Sequence, residues 1–440
     1  MSNLRLPKPM PVSDSSYEWK SLFKGSLLSY LVGLYLICFY LELHLRYPIL
    51  QAVRFQFSFG AIIGVFCLIK FFNNRQGRNI SSLTIVTLVL IFWMGIFTVF
   101  SYDRQTSITI YNDRVIKYAL VAFFIYCGIE KIEDLRVILA AILLVWLKLG
   151  QEGFLGWYNG SLMWQNQGIP RLHGSTTMFR HPNSLSGFAV SCLPFCIFFL
   201  IAVKSKLMKL GLFALLCCAL IMILTTGSRT GYVAVFLSFA ALFVNLKNYK
   251  FKILLLAVIF SSVSVNFISD SYKERFMSIF TGEEKEGKSS EARLLIISDA
   301  VDVFIAHPMG VGVRAFPAVR ESMFGRLPDT HNLYLEILTN LGFIGLILFS
   351  IFIVQMIKTN MASYRRNLNS SLSALDKNFI QATIFTSIGY IVIRLFLGLF
   401  GMDLYEIYWW IGLGLTLACV KLTNTYDKNS SQSVTYRRVT

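Results

Sequence analysis

The sequence predicts an all-α membrane protein with about 12 transmembrane helices and one large non-cytoplasmic loop lobe. Three observations predict it. Of 440 residues, 55% are hydrophobic and only 15% charged, with a mean hydropathy of +0.59, more apolar than a soluble globular chain of this length. Apolar runs long enough to cross a hydrocarbon core of about 30 Å recur along the chain. Lys and Arg collect in alternate connections between those runs.

Taken in order, the runs fall near 26–43, 55–72, 82–100, 115–129, 134–150, 184–203, 209–227, 229–246, 251–269, 332–357, 379–400 and 404–422. Almost nothing joins the seventh to the eighth, so they form a tight hairpin at Thr226-Gly227-Ser228-Arg229. Residues 1–25 are polar and contain proline, without the short apolar core and cleavage site of a secretory signal, so the first run reads as a retained helix. With a cytoplasmic N-terminus, the inside connections carry about 23 Lys and Arg, from Arg5 to Arg438, and the short outside ones about 9. Such connections resist translocation, so both termini are expected in the cytoplasm. The organisation expected is a cytoplasmic segment 1–25, nine helices over 26–269 with an outer loop at 151–183, and a large outer loop at 270–331. The last three helices follow over 332–422, then a polar tail at 423–440.

Within the large outer loop, Glu291–Ala306 places Leu294, Ile297, Val301 and Phe304 on one stripe at helical spacing. It reads as an amphipathic helix lying on the membrane surface or on the helix bundle. His307-Pro308-Met309-Gly310-Val311-Gly312 ends it, and 282–290, rich in Lys, Glu and Gly, reads as a mobile stretch.

Composition also bounds function. All eight cysteines lie in apolar runs and behave as small hydrophobes. The net charge of +17 is spread between spans, where it sets topology and meets anionic headgroups of membrane lipids, so nucleic acid is not an expected partner. His44, His173, His181, His307 and His331 form no close ligand pair, and no metal site or cofactor is expected. No Gly-rich phosphate loop, serine elbow or dinucleotide fingerprint is present, which argues against ATP-driven transport.

Ionisable residues near membrane depth are costly and ask for an explanation. Arg171, His173, Arg180, His181 and Asn183 end the 151–183 segment; interfacial anchoring to lipid phosphates is the simpler account of them. Arg229 sits at the hairpin tip beside Thr225, Thr226 and Ser228; it either snorkels to headgroups or offers its guanidinium fork to a diphosphate. Arg293 opens the loop helix, where a single solvated arginine is also ordinary. Asn332 and Glu336 share a helix face, with His331 at the first turn. A helix N-terminus there favours the neutral imidazole that a general base needs, although a histidine can simply cap such a helix.

Three stretches carry a resemblance. They are Leu224-Thr-Thr-Gly-Ser-Arg-Thr-Gly-Tyr-Val233, Glu291-Ala-Arg-Leu-Leu-Ile through His307-Pro-Met-Gly-Val-Gly-Val313, and Thr330-His-Asn-Leu-Tyr-Leu-Glu-Ile-Leu-Thr-Asn-Leu-Gly-Phe-Ile-Gly345. In this order and topology the chain resembles the O-antigen ligase and O-antigen polymerase superfamily of bacterial membrane glycosyltransferases. The resemblance implies a GT-C-like enzyme of the inner membrane that moves a glycan from an undecaprenyl diphosphate carrier to an acceptor hydroxyl, without nucleotide sugar or metal. By the same resemblance, His331 and Arg229 are catalytic, and Arg229 and Arg293 hold the donor diphosphate. Arg171 and Arg180 join them by position, and Asn332 and Glu336 support the site, Glu336 orienting His331 or the acceptor or pairing with an arginine.

Direct attack by the acceptor hydroxyl would invert the anomeric centre, unlike the paired-carboxylate route of retaining glycosidases. The acceptor stays open between lipid A–core, for a ligase, and a second lipid-linked repeat, for a polymerase. Exopolysaccharide polymers and protein hydroxyls stay open too. A flippase and a chain-length regulator are the partners a polymerase would have. The reading from another class is a transporter of an anion or lipid-linked sugar, which usually shows two related halves that are not visible here; a non-catalytic scaffold is the third.

Overall fold

The computed structural model describes residues 22–73, 81–166, 168–245, 270–281 and 289–427, with Lys20 and a few single positions between 250 and 262. In chain order the principal helices are α1 (Leu27–Tyr40), α2 (Phe55–Asn73), α3 (Ser82–Val99), α4 (Lys117–Gly128) and α5 (Ile132–Tyr158). A two-stranded antiparallel hairpin follows, β1 (Met163–Asn166) and β2 (Ile169–Leu172), with Met163 opposite Leu172. Then come α6 (Pro182–Ala202), α7 (Lys206–Thr225), α8 (Arg229–Asn245), α9 (Asp270–Thr281), α10 (Ser289–Ala306), α11 (Phe316–Phe324), α12 (Leu333–Asn369), α13 (Ala374–Leu397) and α14 (Tyr408–Thr425).

The protein is an all-α membrane protein, and six of these helices, α2, α3, α6, α7, α12 and α13, are long and apolar enough to cross a bilayer. The apolar run at 251–269, the stretch 282–288 and most of both terminal segments lie outside the described residues; every other expected run coincides with a helix. Two helices outrun their apolar cores. α5 continues to Tyr158, and α12 to Asn369, where Asn360, Ser363 and Asn367 are buried polar residues that hydropathy does not mark.

The described chain forms two compact units. One comprises Met1–Gly25, Gly33–Phe59 and Arg136–Gly287; the other comprises Ser26–Val32, Gly60–Leu135 and Lys288–Thr440. In the first unit, Trp146 of α5 is buried edge-on against Phe195 and Phe188 of α6 and Tyr40 of α1, with ring centroids 4.7, 5.7 and 6.0 Å apart. Gly153 lets α5 approach α7, since a Cβ there would lie 2.8 Å from the Met222 sulfur.

In the second unit, α12 is broken at Gly342 (φ 70°, ψ −173°). A broken helix strands backbone groups that no lipid can satisfy, so they must find protein partners. The turn after α10 supplies most of them. Val311 N donates to Thr339 O (2.9 Å), Gly312 N to Asn340 O (2.9 Å), and Phe343 N to Pro308 O (3.2 Å). The Trp93 indole of α3 donates to Leu341 O at 3.0 Å. Pro308-Met-Gly-Val-Gly312 is therefore the plug of a helix break, not merely the end of α10.

The face of α10 differs from expectation. The buried residues are Ile296, Asp299, Ala300 and Val303, whereas Leu294, Ile297 and Val301 are exposed and Phe304 is half-buried. Ala300 and Val303 pack with Val311, Ala315, Phe316 and Val319. The physical reason is an ion pair: Asp299 makes the true inner face look polar, because its charge is met by Arg320 of α11.

Candidate active site

The second unit carries the denser polar cluster. α11 is delimited by Pro317 in its first turn and by Gly325 in the left-handed conformation (φ 67°), whose N–H closes on Glu321 O at 2.8 Å. This holds Arg320 inward, where it is 2% exposed. Its guanidinium meets Asp299 Oδ2 at 2.7 Å and donates to Pro328 O at 2.8 Å. Arg326 takes the other Asp299 oxygen at 2.9 Å. One carboxylate thus serves two guanidiniums and ties α10 to the segment after α11.

A second group follows directly. Arg314, itself at φ 59°, places Nε 2.9 Å from Asp329 Oδ2 and Nη1 3.7 Å from Glu336 Oε1. Asp329 Oδ1 accepts from Thr330 N at 2.7 Å, and Glu336, fully buried, accepts from Leu404 N at 3.1 Å. Glu336 therefore pairs with an arginine, the last of the roles expected for it.

His331 lies two residues before the first helical residue, Leu333, and not in the first turn. Asn332 is the N-cap, its side chain accepting from Tyr334 N (2.9 Å) and Leu335 N (3.0 Å) and its carbonyl from Glu336 N (2.8 Å). His331 precedes it at φ 47°, a strained position for a non-glycine residue. The strain is held from several sides: Leu333 N donates to Gly398 O (2.7 Å), Asn332 Nδ2 to Leu399 O (3.0 Å) and Tyr334 OH to Leu395 O (2.9 Å). The imidazole is exposed by surface area, yet the protein crowded around it lowers its pKa from the ordinary 6.5. Asp329 opposes that shift, while Arg293, Arg314 and Arg320 reinforce it. The result is a surface-accessible histidine, neutral near pH 7, in a field of guanidiniums.

Two further ion pairs of this unit join residues that the sequence motifs do not include. Arg394, in the last turns of α13, is buried against Asp403 and stacks over the Tyr408 ring, 3.4 Å from its centroid. Arg114, in a π-helical turn at Tyr111–Ile116, pairs with Glu406. A charge inside the apolar run 379–400 is the signal that marks Arg394; Arg314 carries no comparable signal.

The first unit holds Arg171, Arg180 and Arg229. α7 and α8 are joined only through Thr226-Gly227-Ser228, with Gly227 at φ 57°, as the sequence required. Tyr272 of α9 sets its hydroxyl against Pro170 O and, at 3.1 Å, Thr225 O. Burial pushes its pKa up to about 12, against the pull of Arg171, so it remains a donor. Arg229 is the first residue of α8 and half-buried.

Arg171 is wholly buried, with its fork on Thr226 O (2.7 Å), Asn166 Oδ1 (2.8 Å) and Asn183 Oδ1 (2.6 Å). Three protein acceptors occupy it, and it clamps the β-hairpin, the α7–α8 tip and the start of α6 together. Arg180, by contrast, is exposed beside His181, whose Nδ1 caps α6 by accepting from Asn183 N at 3.1 Å. Arg293 lies in the first turns of α10, half-buried, with its field reaching His331. Among the described residues no group of three His, Cys, Asp or Glu is placed to hold a metal ion.

Residues 213–350 match a family model described as O-Antigen ligase. The match runs from α7 to beyond the break in α12, so it contains Arg229, Arg293, His331, Asn332 and Glu336 and leaves out Arg171 and Arg180. No curated protein matches the chain.

Proposed function

We propose that this chain, a member of the O-antigen ligase and polymerase superfamily through residues 213–350, transfers a glycan from undecaprenyl diphosphate to an acceptor hydroxyl at the outer face of the inner membrane. The observation that carries this reading is His331: exposed, kept neutral by its surroundings, and fixed in a strained turn among arginines. Family membership favours an enzyme over a transporter.

In the proposed reaction the acceptor oxygen attacks the anomeric carbon, its proton passes to the His331 ring, and the bond to the diphosphate oxygen breaks with inversion. The leaving diphosphate keeps the electron pair, and fixed guanidiniums in a partly dehydrated site stabilise the charge without protonating it. Arg293 is the first candidate for that role in the second unit; Arg229 is assigned to the diphosphate by resemblance and Arg180 by position alone, whereas the saturated fork of Arg171 suits a positioning role. Neither metal nor cofactor takes part in this scheme. About 12 spans, an outer lobe at 270–331 and cytoplasmic termini complete the proposed topology.

The test is transfer from a lipid-diphosphate-linked glycan by the purified protein with a chelator present, offered lipid A–core or a second lipid-linked repeat. His331→Ala should lose about 10²–10⁴-fold in rate, and Arg229→Lys should recover little of what Arg229→Ala loses, because an ammonium cannot replace a bidentate fork. Full activity in His331→Ala would remove the basis of the proposal. The acceptor consumed separates ligase from polymerase.

A further inference from the structure

The second unit contains a groove of about 540 Å³ between the start of α1 and the end of α2. Its walls are apolar: Leu27, Leu28 and Leu31 on one side, Phe66 and Ile69 on the other. Its polar residues are Lys70 and Asn73, in the last turn of α2, and Glu130 just before α5. Lys70 Nζ stands 3.1 Å from Glu130 Oε1, with the two side chains 25% and 48% exposed.

One end of this groove is tied by hydrogen bonds within the chain. Asp134 accepts from Ser26 N (2.6 Å), Glu130 N (3.0 Å) and Lys131 N (3.2 Å), which fixes the start of α1 to the turn that carries Glu130. Those bonds also absorb the Asp134 charge, so it does not compete for a ligand's cation. An exposed ion pair such as Lys70–Glu130 contributes little by itself and opens at small cost. An ammonium has three donors and a carboxylate about four acceptor sites, so each partner can hold the other and a third group.

We infer that this groove binds phosphatidylethanolamine. One acyl chain lies along the leucine and Phe66–Ile69 walls, the phosphate meets Lys70 and the Asn73 amide, and the primary ammonium meets Glu130. The charge pattern selects this headgroup: a choline head has no N–H to donate to Glu130, and a glycerol head brings no cation, leaving its phosphate beside a carboxylate. The Lys and Arg distribution assigns this end of the helices to the cytoplasmic leaflet. The site is independent of the transfer chemistry proposed above.

The full-length protein in detergent, titrated with phosphatidylethanolamine, phosphatidylcholine or phosphatidylglycerol of identical acyl chains and read by native mass spectrometry, tests this. Wild type should retain phosphatidylethanolamine about tenfold more strongly than either competitor, the effect of one charge-assisted hydrogen bond. Glu130→Gln should bring the ethanolamine and choline lipids to parity, Lys70→Gln should weaken all three, and Leu31→Trp should exclude all three by filling the groove. Thermal unfolding of each variant checks that it is folded, and both charge variants sit at partly exposed positions. Equal retention of the three lipids by wild type, or an unchanged preference in folded Glu130→Gln, overturns the inference.

Discussion

Replacing Gly342 with alanine tests whether the broken α12 positions the His331 turn. Gly342 sits at φ 70° and ψ −173°, a region essentially reserved for glycine, so a side chain there costs about 1–3 kcal/mol in backbone strain. The added Cβ would also lie 2.3 Å from both the carbonyl carbon and oxygen of Met309, backbone atoms that cannot rotate away. Relieving that overlap draws the 308–312 turn out of the break and strains Val311 N to Thr339 O, Gly312 N to Asn340 O and Phe343 N to Pro308 O, each worth about 0.5–1.5 kcal/mol. Together these give a loss of about 3–6 kcal/mol, enough to threaten a fold of ordinary marginal stability. Gly211→Ala is the matched control: that glycine lies inside α7, a methyl group added to it would meet no atom within 4 Å, and its φ is not positive, so the change should be neutral or stabilising by up to about 1 kcal/mol. Thermal unfolding of both variants in one detergent, with glycan transfer alongside, decides the matter. A Gly342→Ala protein as stable and active as Gly211→Ala would mean that the break is not what holds the turn.

Other expectations follow from the same geometry. His331 serves as a base only when neutral, so the rate should fall as pH drops through a pKa that lies below 6.5 in the wild type. Arg314→Gln removes a cation and frees Asp329, both of which favour the imidazolium, so the acid limb of the rate profile should move to higher pH; Asp329→Asn should move it lower. Opposite displacements of the limb distinguish this from simple damage, which lowers the plateau alone. Asp299→Asn strips the carboxylate that serves both Arg320 and Arg326, and leaving the buried Arg320 charge uncompensated should cost about 3–5 kcal/mol in unfolding experiments.

The spans were readable because hydropathy needs only composition over a window, and the α7–α8 hairpin because three residues ending in Gly227 and Ser228 leave no other way to reverse. Facing was harder. α10 carries apolar residues nearly all round, and Asp299 at the centre of its buried face made the stripe through Leu294, Ile297 and Val301 look more continuous. The His331 motif is legible, yet its place one residue before the cap depends on Asn332 ending the helix there, a difference of one or two positions that spacing cannot resolve. Arg171 enters the donor-binding set by position alone; its charge is legible in the sequence, whereas its three acceptors, from distant segments, are not. Arg314 is not marked by the sequence, since its partners, Asp329 and Glu336, come together only through the turn after α10.

The plug in the α12 break has a consequence for biogenesis. The turn at 307–313 is held from one side by residues made long before it, since Tyr102 N donates to Val311 O (2.9 Å), Val313 N to Phe97 O (3.3 Å) and Ser107 Oγ to Val313 O (2.5 Å). From the other side it is held by Thr339, Asn340 and Phe343, which leave the ribosome afterwards. Neither half of the chain can seat it alone, and the early contacts span about two hundred residues, a separation that slows assembly. The turn is therefore a keystone set after α12 is made, and a nascent chain halted before residue 343 would present a segment still waiting for its lock.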